Sequence, residues 1–131
     1  MQFRIFGCDR EIDASLIDAD AETIRDQVRE YEDGDRRTFD LEVEYPDDFT
    51  GAVMRAMARI PAGETRTYGD LASELETAPI AVGQACGRNP LPVIVPCHRV
   101  VGRDSLTGYG GGLELKRRLL EHEGASIPGS E

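Results

Sequence analysis

The stretch from Leu91 to Val101 does most to limit how this chain folds. An apolar run, Leu91 to Val95, leads into Pro96-Cys97-His98-Arg99, and a second apolar pair, Val100-Val101, follows. Burying both apolar pieces fixes a thiol beside an imidazole between two hydrophobic segments. The thiolate is the nucleophilic form of cysteine, and a neighbouring base or cation lowers the thiol pKa from its free value of about 8.5. Taken alone, the pair leaves two readings open. Either Cys97 is a reactive thiol with His98 as its base, or it is an inert small hydrophobe, as most buried cysteines are. Neighbouring side chains on a strand point to opposite faces, which favours the second.

The chain has 131 residues, enough to bury a core in one domain or one domain with a small extension. No run approaches the roughly 18 to 20 apolar residues that span a bilayer. The opening MQFRIFGCDR lacks the apolar stretch of a secretory signal, so a cytoplasmic protein is expected. Cys8, Cys86 and Cys97 are odd in number and irregular in spacing, which argues for reduced thiols rather than a disulfide framework. With no C-x-x-C pair and only His98 and His122 as histidines, no metal site is expected.

The net charge of -10 is unevenly spread. Residues 1–49 hold 16 Asp/Glu against 6 Arg, whereas residues 50–131 hold 9 acidic and 9 basic residues. Lys116 is the only lysine. An acidic, lysine-poor surface fits a salt-loving source, where screening relieves like-charge crowding; a merely acidic soluble protein is the plainer alternative. Nonspecific DNA binding through a basic patch is disfavoured, although the neutral second segment can still present a local arginine face.

Along the chain, Phe3 to Phe6 predicts a short strand. Ala21 to Tyr31 predicts a helix with Ile24, Val28 and Tyr31 on one face. Thr38 to Tyr45 alternates, with Phe39, Leu41, Val43 and Tyr45 on one side, and predicts a half-buried strand. A small α/β unit over residues 1–46 is thus expected, closed by Pro46-Asp47-Asp48. A helix from Asp47 to Arg59 follows, with Phe49, Val53, Met57 and Ile60 on its core stripe. Two short helices come next, Tyr68 to Leu75 with Thr67 as cap, and Pro79 to Cys86 with proline at the first position; such a pair is compatible with a helix-turn-helix. Arg88-Asn89-Pro90 makes a turn. Four glycines around Tyr109 make a loop that brings backbone amides close to a ligand, and Leu113 to His122 predicts a last helix. The expected fold is α+β: a small N-terminal sheet with a helix, then a mainly helical domain over 47–131 containing the helix-turn-helix.

Several separated motifs agree. They are Ile60-Pro61-Ala62-Gly63, Thr67-Tyr68-Gly69-Asp70-Leu71-Ala72, Ala81-Val82-Gly83, Gly87-Arg88-Asn89-Pro90, Pro96-Cys97-His98-Arg99-Val100, Thr107-Gly108-Tyr109-Gly110-Gly111-Gly112 and His122-Glu123-Gly124. In this order and spacing, residues 60–124 resemble the active-site domain of the O6-alkylguanine-DNA alkyltransferases, the methylated-DNA–protein-cysteine methyltransferases. Helix 47–59 fits the family helix before them, and residues 1–45 resemble only loosely a short version of the family's variable N-terminal domain.

The resemblance implies a single-turnover DNA repair protein. Cys97 takes the alkyl group from O6 of guanine onto its own sulfur, irreversibly and without a cofactor. His98 draws off the thiol proton through a water, and Glu123 orients and charge-stabilises His98, a nucleophile, base and orienter. Tyr68 supplies or relays a proton to guanine N3, and the Gly110 amide hydrogen-bonds O6. The carbonyls of Cys97 and Val100 read the exocyclic amine, Asn89 holds the turn beneath the site, and Tyr109 walls the pocket. The implied partner is double-stranded DNA bound through its minor groove with the base flipped. A monomer is expected, with no membrane partner. The second helix of the pair carries Ile80, Ala81 and Gly83 to the DNA. Ile80 stands where the family has an arginine that fills the gap in the base stack. An apolar wedge can enter a stack, but it cannot hydrogen-bond the orphaned cytosine, so slower or weaker repair of duplex DNA is expected, with free alkylguanine less affected. Two other readings remain open: a non-catalytic protein that recognises alkylated bases, and a Cys-His hydrolase. The first differs from its known relatives in having Cys97, and no oxyanion-hole signature supports the second.

Overall fold

A computed structural model of the chain describes residues 1–106 and 112–127. It opens with a hairpin in which β1 (Gln2–Ile5) pairs antiparallel with β2 (Cys8–Glu11), Ile5 opposite Cys8. The two-residue loop between them, Phe6-Gly7, has φ of +47° and +80°. That is the turn geometry that matches hairpin twist, and glycine reaches it without a Cβ penalty. Periodicity predicts β1 but not β2, because Cys-Asp-Arg-Glu has no apolar alternation. A 3-10 turn, Ala14–Leu16, leads to α1 (Ala21–Glu32), whose N-cap Asp20 accepts the Thr23 N–H at 2.8 Å. Its buried stripe is Ile24, Gln27, Val28 and Tyr31.

The predicted strand over 38–45 does not form a ladder. Only Val43 pairs, in an isolated antiparallel bridge with Ile17, flanked by Asp18 N–H to Glu42 O at 3.0 Å and Glu44 N–H to Leu16 O at 2.7 Å. The alternation survives as burial: Phe39, Leu41, Val43 and Tyr45 are half-buried while Asp40, Glu42 and Glu44 face solvent. The pattern therefore reports a one-sided extended segment, and its only backbone neighbour is too short to make a sheet.

α2 (Phe49–Ala58) is capped by Asp48, which accepts the Gly51 N–H at 2.9 Å. Val53, Met54, Ala56 and Met57 are buried, as is Ile60 just beyond, but Phe49 is 41% exposed. It stands at the first helical position, short of where the stripe reaches the core. Then β3 (Arg66–Thr67) runs directly into α3 (Tyr68–Glu74), closed by a capping box: Asp70 N–H to Thr67 Oγ1 at 3.0 Å and Thr67 N–H to an Asp70 carboxylate oxygen at 2.9 Å. α4 (Pro79–Gly87) follows and packs on α3 and α2. The chain returns to β4 (Val100–Val101), which lies parallel to β3 with Arg66 opposite Val100 and Thr67 opposite Val101. α5 (Leu113–Glu123) closes on Gly124 at φ +78°, whose N–H reaches Glu121 O, while the Ala125 N–H bonds Leu120 O.

Buried side chains from the first 46 residues and from the rest share one core, Ile5, Ile24 and Tyr31 among them with Met57, Leu91 and Leu119. No helix among the described residues is long and apolar enough to cross a membrane. The result is a mixed α+β fold in which the segment 91–101 threads the interior, every residue of it buried.

Candidate active site

Cys97, His98 and Arg99 form a 3-10 turn between the buried loop 91–96 and β4. The loop is held open by Asn89, whose Nδ2 donates to Val95 O and whose Oδ1 accepts the Leu91 N–H, both at 3.0 Å. Val95 N–H closes back on Leu91 O at 2.8 Å. Inside this clamp Val93 has φ +74° while fully packed. A β-branched residue is rarely found there, so surrounding contacts impose the bend that delivers Cys97.

The 3-10 turn points its two basic side chains at one carboxylate. Glu123, the last residue of α5, accepts four hydrogen bonds: Tyr31 Oη to Oε2 at 2.6 Å, His98 Nε2 to Oε2 at 2.8 Å, and a fork from Arg99, Nε to Oε1 at 2.8 Å and an NH2 to Oε2 at 2.9 Å. Arg99 also donates to Ile60 O at 2.6 Å. A carboxylate at a helix C-terminus opposes the helix dipole, and the bidentate guanidinium offsets that. Burial pushes the Glu123 carboxyl up, but the hydrogen bonds and charges of His98 and Arg99 outweigh it and hold the group well below the usual carboxylate range. An ionised carboxylate only accepts, so the Tyr31 hydroxyl and His98 Nε2 must both donate. That fixes the neutral His98 tautomer and leaves Nδ1 as an acceptor.

His98 is fully buried, and its Nδ1 has no hydrogen-bond partner among the described residues. Burial drives its pKa down; the Glu123 hydrogen bond and charge work the other way, while Arg99 and Lys116 reinforce the lowering. The imidazole is thus neutral and free to take a proton at Nδ1.

Lys116, on α5, is completely buried, and its Nζ lies 5.8 Å from the Tyr68 ring centroid. Burial draws its pKa down to about 8, opposed by attraction to Cys97 and Cys86. Tyr68 opens α3 and is half-buried; Gly83 on α4 faces it, a Cβ there falling 3.9 Å from the ring. Val100 is buried directly after the 3-10 turn and pairs with Arg66, which brings Thr67 and Tyr68 to the same end of the molecule as Cys97. Cys86 is half-buried, its thiol donating to Met57 Sδ at 3.6 Å and pushed up to about 12 by burial and by Cys97. On α4, Ile80 is 73% exposed, Ala81 and Gly83 are half-exposed, and Pro79 supplies the first position without a side-chain cap. Tyr109 and Gly110 lie outside the described residues.

The structure therefore joins His98 to Glu123, makes Cys97 the neighbour of His98 in the 3-10 turn, and has Asn89 clamp the loop that leads to them. The bonds of Arg99 give it a structural role. Sequence reasoning missed Lys116, whose only signal was being the lone lysine, and it placed Tyr31 on a core stripe, where helical periodicity cannot reveal its hydroxyl's partner. Among the described residues no three His, Cys, Asp or Glu side chains form a group able to hold a metal.

Fold and site together define a helix-turn-helix protein with a buried cysteine on a tight turn, served by a histidine–carboxylate pair. Residues 48–125 match the family model described as 6-O-methylguanine DNA methyltransferase, DNA binding domain, and the chain belongs to that family. It is 47% identical over 107 residues to the methylated-DNA–protein-cysteine methyltransferase of Mycobacterium tuberculosis, covering 79% of this chain and 65% of that one. The namesake protein of Archaeoglobus fulgidus is 45% identical over 121 residues, 84% of this chain and 79% of the relative. The crystal structure of Mycobacterium tuberculosis OGT in complex with DNA superposes with a TM-score of 0.75 at 45% identity, covering 82% and 69% of the two chains. The chain thus spans about two thirds of the length of the mycobacterial relative.

Proposed function

We propose that this protein repairs O6-alkylguanine in DNA by moving the alkyl group irreversibly to its own Cys97, one event per molecule. One observation carries the reading: a fully buried His98 whose Nε2 is anchored on the Glu123 carboxylate at 2.8 Å while its neighbour in the turn is the cysteine. This is a nucleophile, a base and an orienter in covalent sequence order.

The Cys97 proton passes through a water to His98 Nδ1, and the resulting imidazolium is stabilised by Glu123. The Sγ lone pair attacks the alkyl carbon, a carbon–sulfur bond forms, and the carbon–O6 bond breaks with its electrons moving into the purine. Tyr68 delivers or relays a proton to N3, so guanine leaves neutral, and the proton held by His98 passes through solvent water to restore Tyr68. The Cys97 and Val100 carbonyls accept from the exocyclic amine, and Tyr109 and Gly110 complete the pocket. The base reaches the site by flipping out of the duplex, which costs a few kcal/mol. α4 enters the minor groove with Ile80, Ala81 and Gly83 at its leading edge. The exposure of Ile80 supports its use as an apolar wedge. The division at residues 46 and 47, a monomeric state and a cytoplasmic setting belong to the same reading, the last supported by three free thiols.

The test is intact mass after incubation with an O6-methylguanine duplex at high salt. One added methyl, absent from Cys97→Ala, is expected. No mass change with retained lesion binding refutes transfer and identifies a damage-recognition protein instead.

A further inference from the structure

Residues 1–46 reach into the site at one point. Tyr31, at the end of α1, is 1% exposed and donates to Glu123 Oε2 at 2.6 Å, the same oxygen that His98 Nε2 uses at 2.8 Å. Its ring is fixed on both sides: it stacks on Phe39 with centroids 5.5 Å apart and meets His122 edge-on at 5.1 Å. His122 Nε2 also bonds the Tyr31 carbonyl at 2.6 Å. From the same segment Arg37 donates to the backbone carbonyl of Glu123 at 2.5 Å. The N-terminal segment thus grips Glu123 by side chain and backbone together.

We infer that Tyr31 is a positioning residue for alkyl transfer, acting through Glu123 on His98, and that the acidic N-terminal segment therefore completes the active site. The inference rests on the proposed alkyl transfer for its reaction. Three donors on one oxygen, Tyr31, His98 and Arg99, divide its accepting capacity. The phenol holds the carboxylate in its orientation on the Arg99 fork, and it draws density from the oxygen facing His98. Both effects keep His98 held in place yet ready to release its proton at the end of the step. Without the hydroxyl, Oε2 serves His98 and Arg99 alone, the imidazolium is held more tightly, and the base is protonated at higher pH. The charged and titratable groups facing this pair are Arg99 from the 3-10 turn, Lys116 from α5, Arg37 at the Glu123 carbonyl and, beyond Tyr31, the His122 ring. None of them is touched by removing one hydroxyl.

The experiment compares wild type with Tyr31→Phe, which keeps the ring and its stacking. Methyl transfer from an O6-methylguanine duplex to Cys97 is followed by intact mass across pH. Carbamidomethylation of Cys97 by iodoacetamide, read by peptide mass, is followed across the same range and needs no DNA. The expected result is an unchanged fraction of active molecules and an acid limb displaced upward by roughly half a unit to one unit in both assays, so that transfer at a pH below the limb is about 3- to 10-fold slower. Superimposable pH profiles, or a loss confined to the active fraction, overturn the inference. Phe39→Leu loosens the ring that sets the hydroxyl on Glu123; its profile is expected to shift in the same direction by less. An unshifted Phe39→Leu profile overturns the inference even if Tyr31→Phe fails to fold. If wild type reacts with iodoacetamide but never with the duplex, the DNA-repair reading falls, and the reagent profile alone decides the role of Tyr31.

Discussion

Arg99→Met tests whether the buried cluster is held by the guanidinium. Methionine keeps much of the stem and removes every donor. The variant loses both arms of the fork to Glu123 and the 2.6 Å bond to Ile60 O, leaving a buried carboxylate with Tyr31 and His98 as its remaining side-chain donors. Breaking a buried pair from one side costs about 3–5 kcal/mol, out of a total stability of roughly 5–15 kcal/mol for a domain. With a urea slope of about 2 kcal/mol per molar, the midpoint falls by roughly 1.5–2.5 M. The pH dependence carries a sign. Glu123 has a folded pKa held below its unfolded value, so its contribution is complete above the unfolded pKa of about 4.3 and is lost as pH falls toward the folded value. Arg99→Met raises the folded pKa, so the gap between wild type and variant is widest near neutrality and narrows as pH drops below about 4.3. Urea titrations at pH 7, 5 and 3.5 measure it. A difference under about 1 kcal/mol at pH 7, or a gap that widens in acid, refutes the reasoning.

Ile80→Arg gives the exposed tip of α4 a group that can hydrogen-bond an orphaned base; transfer from duplex is expected to rise about 10-fold or more, with free alkylguanine unaffected, and no gain on duplex sinks the wedge argument. Raising salt from 0.1 to 1 M shortens the screening length from about 10 to about 3 Å, and with a net charge of -10 the melting temperature is expected to rise by at least about 3 °C; an unchanged value in calorimetry removes the case for salt adaptation. Gly51→Ala places a Cβ 1.7 Å from Pro46 O and 2.7 Å from its carbonyl carbon. It is expected to destabilise by about 1–3 kcal/mol where a helical Gly→Ala ordinarily gains about 1, and a stabilised variant in thermal melts shows that the 46–48 turn yields freely.

The helices were legible because each carries its own local evidence. Thr67 marks a start, Pro79 marks a first position, and apolar spacing marks the stripes. The segment 38–45 misled because alternation encodes which side is buried, while a ladder also requires a partner strand, and here only Ile17 is available. β2 was silent because a polar ribbon has no periodicity to read. The Cys97–His98–Glu123 set came from motif order alone. What joins it to Tyr31, Arg99 and Ile60 is tertiary: no spacing in the chain announces that residues 31 and 123 share a proton.

The carboxylate of Glu123 joins α1, the 3-10 turn and α5, and through Arg99 the end of α2, with partners as far as 92 residues away. Those contacts exist only after the whole chain has closed on itself, since contacts of high sequence separation are the last to be rewarded in folding. An unfinished molecule carries the cysteine but not the tuned histidine, so its thiol is ordinary. For a protein proposed to be consumed by a single event, this arrangement makes reactivity a certificate of completed folding. Chains still in assembly are kept from spending themselves, and only finished copies are put at risk.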